Sequence, residues 1–311
     1  MSFILLFLAV LPTIVLGTYI YKNDKIEKEP TSLLIILMLC GIGSVVLTLI
    51  VTGALSRVIP FFNIEDTSTL SAPALAIYVF LGIALIEEFC KWIFIRTIAW
   101  ENKAFNHVYD AIVYSVFVSL GFATVENMLY VFGNTTFLEA LQVAFMRMFL
   151  SVPGHAFFGV MMGYYIGLAK LTHVNNVRDK SKKYLLLSIL IPTTFHFLFD
   201  YLLMLEYDFA FGLFLIFVVF MFSTAIRKVK RLSNVPTNIF NEPNRMDYVY
   251  NAFGNKTQSQ ANSNMNYQNN MNYQNNMNNL NNTNNNQIIY CKNCGKPVNG
   301  RFCSNCGTPN D

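Results

Sequence analysis

Residues 75–95 of this chain read LAIYVFLGIALIEEFCKWIFI, an apolar stretch that carries two adjacent carboxylates and a lysine near its centre. Its flanks are typical of a membrane span, because a helix needs about 20 apolar residues to cross the hydrocarbon core. An ionisable group at that depth costs roughly 2.5–3.5 kcal/mol on insertion scales. Glu87, Glu88 and Lys91 therefore indicate an ion pair, a hydrated cavity or chemistry within the membrane.

The composition of the whole chain is that of a polytopic helical membrane protein. Of its 311 residues, 54% are hydrophobic and 13% are charged, whereas soluble domains carry about 25% charged residues. The apolar segments predict an all-α fold of about seven transmembrane helices. Their approximate bounds are 2–21, 31–55, 74–95, 110–132, 139–170, 184–205 and 208–227.

The first and fifth segments each admit two interpretations. The first has no basic residues before it and no small-residue cleavage site after it, so we interpret it as a retained helix rather than a signal peptide. The fifth is too long for one straight helix, and Pro153-Gly154 interrupts it. We expect a kinked helix there, or a partial helix followed by a full one.

The distribution of lysine and arginine among the loops predicts the orientation of the chain. Basic residues are concentrated in the loops after the first, third and fifth spans and after the last one. The intervening loops contain only Arg57. Because basic loops stay on the cytoplasmic side, we expect a multi-pass protein of the cell membrane with its N-terminus outside and its C-terminus in the cytoplasm.

The character of the chain changes after Arg231. Residues 232–289 are polar and rich in Asn, cannot bury a core, and are predicted to form a disordered linker. Residues 290–311 contain two Cys-x-x-Cys pairs, each followed by glycine, which predict a zinc ribbon. Disulfides are the alternative, but cytoplasmic thiols stay reduced. The predicted ligands of this structural zinc ion are Cys291, Cys294, Cys303 and Cys306.

Glu87 and Lys91 lie four residues apart and therefore share one helix face, in the favourable order. Their pairing would leave Glu88 free to act as a base in proton transfer. The alternative is a structural ion pair that holds helices together, and that interpretation leaves Glu88 unexplained.

Spans four and five contain further polar residues, which could act either in chemistry or in holding the helices together. Glu126 could accept a proton or bind a metal, and Asn127 could donate to an oxyanion or hold two helices together. His155 follows the Pro-Gly break, eight residues after Arg147, which is expected to neutralise a carboxylate. A stripe of small residues after His155 is expected to pack closely against a neighbouring helix; it comprises Gly159, Gly163 and Gly167.

Span six contains His196 and Asp200, which lie four residues apart on one face. The carboxylate could fix the tautomer of a neighbouring imidazole, or it could cap the end of the helix. At about 1.5 Å per residue, these two residues and Glu126 fall toward the outer ends of their spans, whereas the Glu pair is near the middle of its own. The groups can meet if a cavity lies between the midplane and the outer surface.

Together these patterns resemble the four motifs of the PrsW family of membrane proteases, distant relatives of the CAAX-processing and bacteriocin-processing (CPBP) enzymes. The first resembles Glu-Glu-x-x-Lys and the second Phe-x-x-x-Glu-Asn. The residues that carry the resemblance are Glu87-Glu88-Phe89-Cys90-Lys91, Phe122-Ala123-Thr124-Val125-Glu126-Asn127, Arg147 with His155 and Gly159, and His196 with Asp200. It covers about residues 1–230, so the linker and the zinc ribbon lie outside it.

The resemblance implies a transmembrane protease domain at residues 1–231 that makes the first cut in a membrane-bound anti-sigma factor, on the outer side. The implied partners are a single-pass membrane protein as substrate and the lipid bilayer. The zinc ribbon would bind a cytoplasmic partner that the sequence does not name, and no nucleic acid is expected for the membrane domain.

The expected reaction is hydrolysis of a peptide bond with a glutamate as general base. The expected catalytic residues are Glu87, Glu88, Glu126, Asn127, His155 and His196, with Lys91, Arg147 and Asp200 in support. Two histidines and a glutamate could also hold zinc. No His-Glu-x-x-His sequence lies on one helix, so the sequence leaves both mechanisms open. An active-site metal is possible, and catalysis without one is favoured.

Two other classes of function fit the same composition. Buried glutamate, lysine and histidine also line the ion paths of transporters, although the sequence has one Pro-Gly break and no inverted repeat. A non-catalytic receptor would signal through the zinc ribbon, and it would need the tail rather than the Glu pair for its activity.

Overall fold

The computed structural model describes residues 2–64, 66–205, 207–234, 239, 289–290 and 297–298. The chain forms two compact units, Met1–Asp247 and Tyr248–Asp311. The described residues of the first unit contain seven helical segments that are long and apolar enough to cross a membrane. The predicted all-α fold with seven spans is therefore confirmed.

Within the described residues, nine α-helices and one π-helical segment build the seven spans. The α-helices are α1 (Ser2–Asn23), α2 (Thr31–Val58), α3 (Ala72–Ile77), α4 (Leu85–Ile98), α5 (Asp110–Phe132), α6 (Phe137–Phe149), α7 (Ser151–Val174), α8 (Arg178–Met204) and α9 (Asp208–Leu232). The π-helical segment, Tyr78–Ala84, joins α3 to α4. Two short 3-10 turns, Pro60–Phe62 and Thr67–Thr69, lie between α2 and α3.

Helix α5 is the central helix, and side chains on nearly all of its faces are buried. It packs against α7, α2 and α1. Small residues allow this, because a Cβ added at Gly121 would collide with the Met38 carbonyl oxygen of α2. Helices in lipid have no hydrophobic force between them, so close backbone packing supplies much of their association.

The stripe of small residues on α7 packs against α5, as the sequence predicts. A Cβ added at Gly163 would collide with the backbone of Ala111, and one at Gly167 with that of Val108. Neither helix can slide along the other without losing this fit. The stripe therefore sets which side chains of α7 reach the second half of α5.

The fifth span consists of two helices that run in the same direction along α5. They meet at Leu150, whose φ of −115° departs from the helical value. Pro153 accounts for this position, because it lacks an N–H and its ring clashes with the carbonyl four residues earlier, that of Phe149. The helix therefore breaks three residues before the Pro-Gly pair, and a partial helix is followed by a full one.

A π-helical segment directly precedes the Glu pair in span three. The wider turn of a π-helix changes the rotation of the residues that follow it, and such segments occur frequently at functional sites. In this chain the segment and α4 both pack against α8. The π-helical turn thus helps to set the direction in which Glu87 and Glu88 point.

In the second unit, β1 (Ile289–Tyr290) and β2 (Pro297–Val298) form an antiparallel pair in which Ile289 lies opposite Val298. The ligands of the predicted zinc ribbon, Cys291, Cys294, Cys303 and Cys306, lie outside the described residues, as does most of the predicted linker 232–289. The zinc ribbon and the linker therefore stay predictions.

Candidate active site

The candidate site residues predicted from the sequence meet in one cluster, although they come from α4, α5, α6, α7 and α8. His155 Nε2 lies 2.8 Å from Glu126 Oε2, and His196 Nδ1 lies 3.0 Å from Glu88 Oε1. The centres of the two imidazole rings are 5.3 Å apart. The cluster borders a cavity of about 360 Å³ whose polar lining consists largely of Glu87, Glu126, Arg147, His155, His196 and Asp200.

Lys91 is the fully buried cation of the cluster. Its ammonium donates to Glu88 Oε1 at 2.7 Å, whereas Glu87 Oε2 lies 3.6 Å away. The sequence spacing favoured Glu87 as the partner, but positions three and four residues away both share the helix face. Glu88 Oε1 also accepts from His196 Nδ1. Glu88 is thus the paired carboxylate rather than the free one.

Glu87 is the carboxylate of this pair that faces the cavity. Its Oε2 is buried and has no hydrogen-bond partner among the described residues. The nearest nitrogen of His196, Nε2, lies 3.9 Å from it. The Lys91 ammonium, 3.6 Å away, interacts with this oxygen only electrostatically, and a buried carboxylate oxygen without a hydrogen bond is costly. This atom therefore marks the place where a water, a substrate group or a metal would bind.

His155 lies between a cation and a carboxylate. Lys91 Nζ is 3.2 Å from His155 Nδ1, and because an ammonium can only donate, Nδ1 accepts. The ring proton is then on Nε2, which donates to Glu126 Oε2. The same oxygen accepts from Arg147 Nη2 at 2.6 Å. Arg147 thus neutralises a carboxylate, as predicted, and Glu126 fixes the orientation of the imidazole.

His196 is held on both sides of its ring. Its Nδ1 contacts Glu88, and its Nε2 lies 3.2 Å from Asp200 Oδ2, one helical turn later. The ring of Phe158 stacks on the imidazole with 4.6 Å between the ring centres. Of the two interpretations of Asp200, the structure shows the contact with an imidazole, and Asp200 lies within α8 rather than at its end.

Asn127 is fully buried and makes contacts to two other helices. Its Nδ2 donates to the Ala9 carbonyl at 2.9 Å, and its Oδ1 accepts from Arg147 Nε at 3.1 Å. The amide therefore links α1, α5 and α6, which is the second of its two interpretations. In this arrangement Asn127 orients Arg147 and does not face the cavity as an oxyanion donor.

Two aromatic residues of the site were not predicted from the sequence. Tyr130 lies beneath the guanidinium of Arg147, with 4.0 Å from Cζ to the ring centre. It follows Glu126 by four residues, and this spacing could have identified it. Phe158 covers His196, but in a chain with 28 phenylalanines nothing in the sequence distinguishes it.

The donor atoms and the charge of the cluster fit a metal ion. One ligand atom each from Glu87, His155 and His196 lies within 4.8 Å of the other two, and the unpartnered Oε2 of Glu87 is available as a ligand. With neutral imidazoles the carboxylates outnumber the permanent cations, Lys91 and Arg147, by two. A divalent cation would balance this excess. The carboxylates are those of Glu87, Glu88, Glu126 and Asp200.

The fold and the site define a class of protein. Carboxylates and imidazoles from several transmembrane helices surround a cavity that can hold water, and this is the arrangement of an intramembrane hydrolase. Residues 29–226 match the family described as PrsW family intramembrane metalloprotease. The chain belongs to the PrsW family of intramembrane proteases.

Curated proteins named Protease PrsW are similar to this chain over most of their length. The protein of Clostridioides difficile (strain 630) is 34% identical over 238 residues, which cover 76% of this chain and 94% of the relative. The protein of Bacillus subtilis (strain 168) is 31% identical over 225 residues, 72% of this chain and 93% of the relative. No solved structure matches the chain.

Proposed function

We propose that this membrane protease makes the first cut in a single-pass, membrane-bound anti-sigma factor, on the outer side of the membrane. Membership in the PrsW family supports the substrate class. The cavity lies toward the ends of α5 and α8 that the charges of the loops assign to the outer side. The single observation that carries the choice of catalytic centre is the unpartnered oxygen of Glu87 beside two imidazoles.

In this proposal Glu87 is the general base. Its Oε2 takes a proton from a water in the cavity as the water oxygen attacks the scissile carbonyl carbon. In this metal-free form His196 is an imidazolium with a proton on both ring nitrogens, held between Glu88 and Asp200. Its Nε2–H and the cationic group of Arg147 stabilise the oxyanion that forms. Glu87 then returns the proton to the leaving nitrogen as the carbon–nitrogen bond breaks, so that a carboxylic acid and an amine leave the site.

The remaining residues act through these groups as positioning residues. Glu88 holds His196 through Nδ1, and Lys91 holds both Glu88 and His155. Glu126 accepts from both His155 and Arg147 through Oε2 and so orients the two side chains. Glu88 is expected to affect the rate through the direction of His196 rather than through proton transfer with water.

A metal-dependent form of the same site is the second candidate, because the matching family is described as a metalloprotease and the donor set fits. Glu87, His155 and His196 would hold the ion. His155 would bind through Nε2 and carry its proton on Nδ1, so the Lys91 ammonium would give up its contact with His155 and keep the one with Glu88. A bound divalent metal would supply Lewis-acid activation of the water and the carbonyl. In that form Glu87 would be a ligand instead of the base.

The test is cleavage of candidate anti-sigma factors in reconstituted vesicles. Glu87→Gln keeps the shape of the side chain and removes the base, so we expect cleavage to fall by at least about 100-fold. Glu139→Gln is the matched control, because Glu139 is an exposed capping residue of α6 and glutamine also serves that role. Glu87→Gln protein that cleaves at the rate of the control would contradict the proposed centre.

Two further experiments distinguish the proposed mechanism from the metal-dependent one and from a receptor function. Chelation of a chain that lacks residues 232–311 tests the metal, since the predicted ribbon would otherwise supply zinc of its own. Cleavage that is lost with chelator and restored by a divalent metal would replace the base mechanism by the metal one. The same shortened chain is expected to retain cleavage, whereas a receptor that signals through the ribbon would lose its activity.

A further inference from the structure

A second cluster of buried carboxylates lies at the other end of α5. Asp24 follows α1, Glu29 precedes α2, and Asp110 begins α5. Their exposed fractions are 3%, 3% and 1%. Asp110 precedes Glu126 by 16 residues in one helix, which corresponds to about 24 Å. The two clusters are therefore separate sites.

Within the described part of the chain no lysine or arginine forms a salt bridge with these carboxylates, although the nearby Lys28 ammonium favours the charged form of Asp24. The one ionic contact recorded there is from His107 Nδ1, 4.0 Å from Asp110 Oδ2. The ammonium of Lys28 donates to main-chain carbonyl oxygens, including those of Tyr21 and Asp24. Three buried acidic groups without a paired cation are unfavourable, so the cluster must bind either protons or a cation.

Each of the three carboxylates accepts at least one hydrogen bond, but one oxygen of Asp24 accepts none. Tyr114 donates its hydroxyl hydrogen to Glu29 Oε2 at 2.5 Å. The backbone N–H of His107 donates to Asp110 Oδ2 at 2.6 Å. Asp24 Oδ2, in contrast, is buried without a hydrogen-bond partner among the described residues. A buried polar atom of this kind indicates a group that is missing from its surroundings.

We propose that Asp24, Glu29 and Asp110 hold a hard divalent cation of the Ca²⁺ or Mg²⁺ type. One oxygen of each lies within 4.8 Å of the other two, and small shifts would bring all three to the bond lengths of about 2.0–2.6 Å that these ions adopt. Oxygen ligands favour such ions over zinc. The ion would join the α1–α2 loop to the start of α5 and so connect three spans.

The proposal has a pH dependence that can be measured. A carboxyl group must lose its proton to bind a cation, so binding should tighten as the pH rises. Other charged or titratable groups also lie near these carboxylates: Glu27, Lys28, His107, Tyr109 and Tyr114.

The experiment uses the full chain, treated with chelator and placed in lipid nanodiscs. Tb³⁺ is the probe, because it replaces Ca²⁺ at oxygen sites and is excited by a nearby tyrosine, here Tyr114. We expect tyrosine-sensitised Tb³⁺ luminescence that Ca²⁺ or Mg²⁺ displaces. Either ion should also raise the melting temperature, and by more at higher pH, where protons compete less for the carboxylates.

Three variants locate the ion. Asp24→Asn and Glu29→Gln each remove one charged ligand and should weaken Tb³⁺ binding by about tenfold or more. Glu27→Gln is the matched control, since Glu27 lies between them and its carboxylate accepts from the Asn106 side chain. Circular dichroism checks the fold of each variant, and Asp24→Asn and Glu29→Gln serve as independent tests if one of them unfolds.

Two results would overturn the proposal. One is Tb³⁺ binding that is absent from the folded wild-type chain or is unchanged in both Asp24→Asn and Glu29→Gln. The other is a melting temperature that responds to pH but not to Ca²⁺ or Mg²⁺, which would mean that the carboxyl groups share protons instead. Binding that is lost in the two ligand variants and kept in Glu27→Gln would establish the site.

Discussion

The ammonium of Lys91 is fully buried, and contacts with a carboxylate, an imidazole and an aromatic ring stabilise its charge. Glu88 Oε1 and His155 Nδ1 lie at 2.7 and 3.2 Å, and the ring of Phe122 lies 4.0 Å from Nζ to its centre. Removal of one member of a buried ion pair leaves the other without compensation, which costs about 3–5 kcal/mol. The Lys91–Glu88 pair is therefore expected to affect the stability of the fold as well as the rate of cleavage.

We predict that Lys91→Met lowers the free energy of unfolding by about 3–5 kcal/mol, because it leaves the Glu88 carboxylate buried and unpaired. Glu88→Gln should also destabilise the protein. The double variant should lose much less than the sum of the two, since it buries no uncompensated charge. Denaturation of the purified protein in detergent measures all three, and additive losses would contradict a direct Lys91–Glu88 interaction.

At the scale of elements, the contact between α5 and α7 decides where the helix that carries His155 lies. Gly163 lies against the backbone of Ala111, whereas Gly212 of α9 has no atom within 4 Å of an added Cβ. The two glycines therefore form a matched pair of sites, one at a close contact and one in open space.

We predict that Gly163→Ala destabilises the protein by about 1–3 kcal/mol and slows cleavage, because α7 must move away from α5 and take His155 with it. Gly212→Ala should be neutral or stabilising by up to about 1 kcal/mol, since alanine favours helix. Melting temperatures and cleavage rates of the two variants provide the comparison. Equal effects would mean that the close contact does not position the site.

At the scale of the whole molecule, the cavity and the carboxylate cluster around Asp24 occupy opposite ends of the helical unit. In the orientation that we propose from the loop charges, the cavity lies at the outer end and the Asp24 cluster at the cytoplasmic end. The proposed cut would then be made outside the cell, and the proposed cation site would lie near the cytoplasm.

We predict that Ser68→Cys is labelled in intact cells by a reagent that does not cross the membrane, and that Lys103→Cys is labelled only after permeabilisation. Both positions are exposed, and they lie in loops at the two ends of the unit. Labelling in the reverse order would invert the topology and place the cavity on the cytoplasmic side, contrary to the proposed site of cleavage.

The sequence by itself determined the class, the seven spans and the membership of the candidate cluster. Hydropathy and the positions of ionisable residues can be read directly from the sequence. A charged side chain in an apolar span is stable only where it meets a partner or water, so such residues are expected to cluster. The stripe of small residues on α7 could also be predicted from the sequence, because its spacing follows the helical repeat.

The tertiary structure alone decided which carboxylate is free and what the other polar groups contact. Glu88 pairs with Lys91 and His196, Glu87 faces the cavity, and Asn127 reaches Ala9. The tertiary structure also places the carboxylate of Asp24 close to that of Asp110. These outcomes depend on the rotation and depth of helices that are distant in the chain, and on a π-helical turn. A shift of one residue turns a side chain by about 100°, which hydropathy cannot resolve.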